Sequence, residues 1–245
     1  MPRYQEDSII EALCEVVFAP GDPWDPTVFG AFRHRITDEL LPIRESGEVV
    51  DFALQPAKDG LKHVTHRSPR MRFFSSDRAR LAQVGENVLV ANVLRPYPHW
   101  EVFKPFILQT FRAYVAAASP VRVERLTLRY IDRIELPDEA SVLGDWVATT
   151  SPYLPTYLAD AQQGAFNRVE KPVDGGTEAL TLTLDVDEGT RVLRLDTELV
   201  SVGPAMEPAA LDPLLESLHD RINEIFEACI SERTRELLKP MDAAS

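Results

Sequence analysis

Two long segments of this chain alternate apolar and polar residues with a period of two. In residues 8–19 the apolar positions in phase are Ile10, Ala12, Cys14, Val16 and Phe18. In residues 121–136 they are Leu126, Leu128, Tyr130, Ile134 and Leu136. Such alternation is typical of a strand with one face packed on a core and the other face in water. The chain therefore has to build a sheet that is covered on one side.

Each of these strands opens one half of the chain, and both halves have the same predicted order of elements. In the first half a helix follows the strand, with Asp25 placed to cap its start ahead of Pro26. Further helical patterns lie over residues 100–117, near 140–150 and over 209–238. The other predicted strands lie near residues 49–55, 62–75, 79–85, 87–94, 164–171, 178–187 and 191–201.

Short turns between these strands make consecutive strands antiparallel. We therefore predict an α+β fold in which residues 1–120 and 121–245 are two similar strand–helix–strands–helix halves. The halves are expected to form one curved antiparallel sheet with helices on one face. This order of elements is similar to that of TATA-binding-protein-like folds.

Composition limits the classes of protein and of partner that fit. Apolar residues make up 44% and charged residues 27% of the 245 residues, as in soluble globular proteins. No apolar run approaches the roughly 20 residues of a membrane span, and the start of the chain lacks a signal-peptide pattern. The net charge is −13, which argues against nucleic acid or a membrane as partner. Cys14 and Cys229 lie among apolar neighbours, so we expect buried, reduced thiols in a cytoplasmic protein.

Two segments of the sequence resemble those of a known family. They are QVGENVLVANVLRPYPHWEVFKPF, residues 83–106, and VERLTLRYIDRIELP, residues 123–137. They resemble the signature of a sporadically distributed family of conserved bacterial proteins, in which a Q-V-G-x-N strand precedes an N-x-L-x-P-Y-x-x-W corner and an L-R-Y strand. The matching residues are Asn92, Pro96, Tyr97, Trp100, Arg129, Tyr130, Asp132 and Arg133. Asp132 departs from the pattern, which usually has asparagine there. The resemblance implies a fold and, through the sporadic distribution, a defence- or stress-linked setting, but no particular reaction.

The corner at residues 95–100 is either a structural joint or a binding surface. Pro96 and Pro98 cannot donate to a sheet ladder, so the strand has to end there. Trp100, at the start of the next helix, can fold back over the strand end. We therefore favour a structural corner with Tyr97 and Trp100 mostly buried, although His99 has no packing role in this interpretation.

Asp132 lies in phase with the apolar face of its strand. Either a bulge turns it out to solvent, or it is buried and has to be paired. The simplest partners from the sequence are Arg129, Arg133 or the start of a helix.

An acidic hairpin is the weak candidate for a metal site. Alternation places two carboxylates on each side of the predicted turn at residues 187–190, and simple pairing would bring all four to the wet face of the sheet. A solvated acidic face explains them equally, and we favour no metal. The four residues are Asp185, Asp187, Asp196 and Glu198.

A basic segment is the alternative ligand surface. Residues 58–80 carry seven Lys and Arg, two His and two acidic residues. Arginines on a sheet face beside aromatic rings can hold phosphate, and an edge strand protected by charge has the same composition. The candidate ligand-binding residues here are His66, Arg67, Arg70 and Arg72.

No nucleotide-binding, hydrolase or metalloprotease motif is present in the sequence, and its five histidines are dispersed. We therefore expect a non-enzymatic interaction or accessory protein that needs no cofactor, has another protein as partner and is able to form homo-oligomers. The alternative is a phosphate- or nucleotide-binding protein, such as a hydrolase, that uses the basic strand at residues 62–80. The two hypotheses differ in whether this strand and residues 185–198 meet in one pocket.

Overall fold

The structure, a computed structural model, describes residues 3–19, 24–36, 39–57, 60–137, 143–148, 165–187, 190–206 and 210–241. The helices in these ranges are α1 (Thr27–Arg35), α2 (Trp100–Ala118), α3 (Leu211–Cys229) and α4 (Glu232–Leu238), with a short 3-10 helix at Leu143–Asp145. The strands are β1 (Arg3–Tyr4), β2 (Ile9–Phe18), β3 (Ile43–Ala57), β4 (Gly60–Phe74), β5 (Arg80–Gly85), β6 (Val88–Leu94), β7 (Val123–Leu136), β8 (Ala165–Val173), β9 (Gly176–Asp187), β10 (Thr190–Met206) and β11 (Pro240–Met241).

Nine of these strands form one antiparallel sheet in the order β3-β4-β5-β6-β2-β7-β10-β9-β8. The two strands with the clearest alternation, β2 and β7, lie next to each other at its centre, with Cys14 opposite Leu128. Strands β1 and β11 pair separately and tie the start of the chain to its end. The predicted single antiparallel sheet is confirmed.

One face of the sheet carries the core. Most of the in-phase residues of β2 and β7 and the buried residues of α1, α2 and α3 belong to one cluster, and Ile134 and Leu136 at the end of β7 belong to a second. The fully buried members of the first cluster include Phe18, Phe32, Phe103, Leu128 and Leu215. Alternation in the sequence therefore predicted the covered face correctly. None of the described helices is long and apolar enough to cross a bilayer.

Two local features differ from the sequence-based expectation. The helix expected over 209–238 is two helices, because the chain turns at Ile230 and Ser231 caps α4 by accepting a hydrogen bond from Thr234 N at 3.2 Å. Asp25, which we expected to cap α1, lies one position before the residue at the cap, Pro26. Its side chain accepts a hydrogen bond from Thr27 N.

A β-bulge lies in β2 at its start. The ladder pairs Ile9 with Asp132 and Glu11 with Ile131, so Ile10 is the extra residue. The bulge lies in the strand opposite Asp132, and Asp132 itself stays on the covered face, 4% exposed. The local irregularity therefore changes the phase of β2 and leaves the aspartate inside.

Candidate functional site

A cavity of about 370 Å³ lies on the covered face of the sheet, beside the turn from β6 into α2. We call it the corner cavity. Its walls come from residues 6–9 before and in β2, from the corner at residues 97–101, from β7 and from α3. Segments that are far apart in the sequence therefore meet here. The lining side chains that carry the argument are Ser8, Tyr97, Trp100, Tyr130, Asp132 and His219.

A chain of hydrogen bonds runs through the wall of the cavity from α3 to the corner. The Asn223 side-chain nitrogen donates to the His219 carbonyl oxygen at 2.9 Å and lies 3.1 Å from His219 Nε2. Because an amide nitrogen only donates, Nε2 accepts and the imidazole proton is on Nδ1, 3.0 Å from the Tyr130 hydroxyl. Tyr130 then donates to the Tyr97 hydroxyl at 2.8 Å. The hydroxyl hydrogen of Tyr97 is therefore the last donor of this series of hydrogen bonds.

Burial keeps the members of this chain neutral. It lowers the pKa of His219 and raises the pKa values of Tyr97 and Tyr130, since the charged form of each group loses its hydration. At pH 7 the wall is therefore a set of neutral dipoles with a fixed direction.

Trp100 holds the helix side of the cavity together. Its ring stacks on His219 with 4.1 Å between ring centroids and an angle of 7° between the planes. Its indole Nε1 donates to Glu216 Oε2 at 2.9 Å, and Phe103 contacts it edge-on. Tyr97 is 9% exposed, and its backbone N donates to Asp7 Oδ2 at 2.9 Å. The residues of the corner thus brace the joint and also form a wall of the cavity.

Asp132 is a buried carboxylate in the same wall. The Ser8 hydroxyl donates to its Oδ1 at 2.7 Å, and its Oδ2 accepts no hydrogen bond from any described residue. Burial, together with the charges of Asp7 and Asp196, raises the pKa of Asp132 to about 7. The carboxyl group therefore changes its charge close to neutral pH.

The arginines considered as partners of Asp132 make other ion pairs. Arg129 forms two hydrogen bonds with Asp196, 2.7 and 2.6 Å long, on the opposite face of the sheet. Arg133 pairs with Glu135. The partner of Asp132 is the hydroxyl group of Ser8, which residue spacing did not indicate.

The charged lining of the corner cavity is acidic. Among the described residues, seven carboxylates and no Lys or Arg line it: they are Glu6, Asp7, Glu101, Asp132, Glu216, Asp220 and Glu227. Three of them pair with cations outside the cavity, in Glu6–Lys239, Glu216–Lys104 and Glu227–Arg235. The Asp7 carboxylate accepts hydrogen bonds from the backbone N–H groups of Ile9 and Tyr97, and Arg95 donates to the Asp7 backbone carbonyl oxygen at 3.4 Å. The carboxylates of Asp7 and Asp132 are therefore not balanced by a cation of the described residues.

The open face of the sheet carries a wider groove of about 780 Å³. Here the opposite charges lie side by side: Arg125 contacts Glu15 at 2.7 Å, and Arg129 contacts Asp196. Asn92 belongs to this face, where its amide donates to Glu11 at 2.7 Å. The residues of the corner motif are thus divided between the two faces of the sheet.

The basic strand is β4, next to the edge strand β3. Arg70 lines the open groove, and Arg72 lies 3.6 Å from Glu45 on β3. The side chains of His66 and Arg67 lie outside what the structure describes. Arg70 and Glu198 both line the groove, but four strands separate β4 from β10. The basic strand and the acidic hairpin therefore share one groove through Arg70 and Glu198, which are separated in it by four strands.

The acidic hairpin pairs in simple register, and the positions of its carboxylates are spread along the ladder. Asp185 lies opposite Val192 in the ladder, and Asp196 lies opposite Thr181, so four residues separate them along β9. The side chains of Asp185 and Asp187 are not described. Among the described residues no group of three or more His, Cys, Asp and Glu side chains is arranged to hold a metal ion.

His219 and Asn223 are the site residues that the sequence did not indicate. Both lie on α3 four residues apart, within its apolar stripe, so their side chains share a face with Leu215 and Ile222. Two polar residues at helical spacing inside an apolar stripe are the signal that could have found them. His99, whose role was open, is exposed and contacts Tyr97 edge-on.

Comparison with known proteins adds no relative that would assign this cavity. No family model matches the chain, and neither a curated protein nor a solved structure is significantly similar to it.

Proposed function

We propose that this chain is a non-enzymatic interaction module that binds another protein at the corner cavity. The observation that carries the proposal is that both ring nitrogens of His219 are engaged, Nδ1 by Tyr130 and Nε2 by Asn223. An imidazole held in this way fixes the shape of a wall and has no nitrogen left for a proton of the ligand. His219 therefore serves to shape the wall of a binding cavity.

The cavity is also organised before any ligand arrives. The stacking of Trp100 on His219 and the hydrogen bonds of Tyr97 and Tyr130 fix the aromatic walls in place. Fewer side chains then have to be ordered on binding, which leaves more of the contact energy as affinity.

The alternative function is phosphate or nucleotide binding by the basic strand. The ion pair of Arg72 with Glu45 and the distance of β4 from the acidic hairpin favour the interaction module over this alternative. A nucleotide site with a metal needs cations and carboxylates around one ligand.

We also propose the finer features of the fold and the family resemblance. Within the nine-stranded sheet, the first strand of each half lies beside the last strand of the same half: β2 lies beside β6, and β7 lies beside β10. This arrangement supports a repeat with TATA-binding-protein-like order. Membership of the bacterial family is supported by the position of its signature: Tyr97, Trp100, Tyr130 and Asp132 all line the corner cavity.

The experiment is affinity capture with a blocked cavity. Asp220 and Glu224 are both exposed on α3, but only Asp220 lines the cavity. We therefore compare Asp220→Trp, which obstructs the cavity, with Glu224→Trp, which adds the same side chain one turn away. The tagged wild-type chain and both variants are expressed in the cells that make this protein, and the bound proteins are quantified by mass spectrometry.

We expect one protein in near-stoichiometric amount with the wild type and Glu224→Trp, and its loss with Asp220→Trp. Equal capture by all three chains, or no captured protein, contradicts the proposal. A thermal-shift panel with ATP, GTP and cyclic dinucleotides, with and without Mg²⁺, tests the alternative. Stabilisation that decreases with salt and is lost in Arg70→Lys/Arg72→Lys would favour phosphate binding.

A further inference from the structure

We propose that the corner cavity binds an alkylammonium group, supplied by a lysine side chain of the partner protein. This inference rests on the proposed function, because it names the chemistry by which the same cavity recognises its partner. It is carried by the charge, the aromatic walls and the hydrogen-bonding capacity of the cavity.

The charge of the cavity calls for a cation. Carboxylates are the charged groups of its lining, and in the described part of the chain no Lys or Arg side chain pairs with the carboxylate of Asp7 or of Asp132. Asp132 is 4% exposed, and its Oδ2 accepts no hydrogen bond from a described residue. A buried carboxylate is stabilised in its charged form by an opposite charge nearby, and a bound ammonium group would supply that charge.

The aromatic walls fit the same ligand. The rings of Tyr97, Trp100 and Tyr130 line the cavity together with the apolar side chains of Ile222 and Phe226. Aromatic rings attract cations through their electron-rich faces, and apolar side chains cover the methylene stem of a lysine. The Tyr–Tyr–His chain contributes neutral dipoles, so it adds no positive charge that would repel the ligand.

The hydrogen bonds of Asp132 favour an ammonium over a guanidinium group. A guanidinium ion pairs best with both oxygens of a carboxylate, in two parallel hydrogen bonds. The Ser8 hydroxyl donates to Oδ1, so Oδ2 is the oxygen of Asp132 without a hydrogen bond, and a single compact donor is enough to satisfy it. An ammonium group is a compact charge with rotatable donors and needs one acceptor from each neighbouring residue.

The titration of Asp132 gives the binding a dependence on pH. Burial raises the pKa of Asp132 to about 7, and a bound cation favours the ionised form. The titratable groups around it are Asp7 before β2, Asp196 on β10, Tyr97, Tyr130 and His219. Binding should therefore weaken as the pH falls from 8 to 6, and protonation of His219 would act in the same direction.

The test uses four peptides, acetyl-Gly-Ser-X-Ser-Gly-amide, in which X is lysine, arginine, acetyl-lysine or norleucine. Dissociation constants are measured by tryptophan fluorescence at pH 8 and pH 6 on the full chain. We expect the lysine peptide to bind at least about tenfold more tightly at pH 8 than each of the other three. We also expect its binding to weaken several-fold at pH 6.

The matched variants are Asp132→Asn and Asp196→Asn. Each removes one carboxylate from neighbouring strands, on the covered and the open face respectively. Asp132→Asn should weaken binding of the lysine peptide about tenfold and remove most of its pH dependence. Asp196→Asn should leave the affinity at pH 8 nearly unchanged and shift the pH dependence only slightly, because the charge of Asp196 is the smallest of the contributions that raise the pKa of Asp132. Circular dichroism of each variant establishes that it is folded. Asp220→Asn, at the rim of the cavity, provides a second variant outside the core.

Preference for the arginine peptide, equal binding of all four peptides or no binding overturns the assignment of lysine. If affinity capture still depends on an open cavity in that case, the interaction module stands and only its ligand is wrong. If capture is the same with Asp220→Trp, the proposed function fails independently of the peptides.

Discussion

The two faces of strand β7 differ in whether their charged side chains are paired with an opposite charge. On the open face Arg129 is joined to Asp196 by two hydrogen bonds, and Arg125 is paired with Glu15. On the covered face Asp132 has a hydroxyl group as its partner and no cation. Charges on the open face therefore compensate one another within the chain, whereas the corner cavity leaves a buried carboxylate uncompensated. In a molecule whose surface charges are paired, one costly buried group thus lines a cavity that a ligand can enter.

The largest expected effect comes from removing the ring that holds the cavity together. Trp100→Ala loses the stack on His219, the hydrogen bond to Glu216 and the edge contact with Phe103. We expect the free energy of unfolding to fall by about 3–4 kcal/mol in urea denaturation. Val102→Ala in the same turn, where the side chain is 46% exposed, should cost less than about 0.5 kcal/mol. Equal effects of the two changes would show that Trp100 does not brace the corner.

A smaller effect that depends on pH should separate the covered face from the open face. Because burial raises the pKa of Asp132 to about 7 in the folded state, the folded chain binds a proton more tightly than the unfolded chain. The stability that the protonated Asp132 contributes to the wild type is therefore lost as the pH rises from about 4 to 7. Asp132→Asn does not titrate, so between pH 4 and pH 8 its stability relative to the wild type should rise by about 2–3 kcal/mol. A difference that stays constant over this range would mean that Asp132 is already ionised by an internal partner.

The smallest effect is expected on the open face. Arg129→Lys keeps the positive charge and loses the paired geometry with Asp196, whose side chain is 18% exposed. We expect a loss of about 1 kcal/mol, reduced by added salt, and no change in binding of the lysine peptide. A larger effect on peptide binding than on stability would place the ligand on the open face of the sheet. It would contradict the assignment of the ligand to the covered face.

Much of the fold was predictable because period-two alternation fixes which face of a strand is buried. The central strands β2 and β7 follow it, and the corner at Pro96 and Pro98 ends a strand as expected. The division of the last helix was not predictable from local pattern, because the hydroxyl of Ser231 also donates to the carbonyl oxygen of Asp145, 86 residues earlier in the chain.

The candidate site was predictable only in part for a similar reason. The signature residues Tyr97, Trp100, Tyr130 and Asp132 could be named from the sequence, but their common cavity depends on contacts across the fold. His219 completes the wall from α3, and Ser8 supplies the hydrogen bond to Asp132 through the bulged start of β2. Residue spacing along one segment carries no information about such partners.

The central claim is that Asp132 is a buried carboxyl group without a cationic partner, ready to receive one. Its titration can be followed directly by NMR of the carboxyl carbon in ¹³C-labelled protein, with Asp132→Asn to assign the signal. We predict a pKa of about 7 in the free chain and a clear decrease when the lysine peptide is added. An ordinary pKa near 4, or a raised pKa that does not change at saturating peptide, would contradict the account.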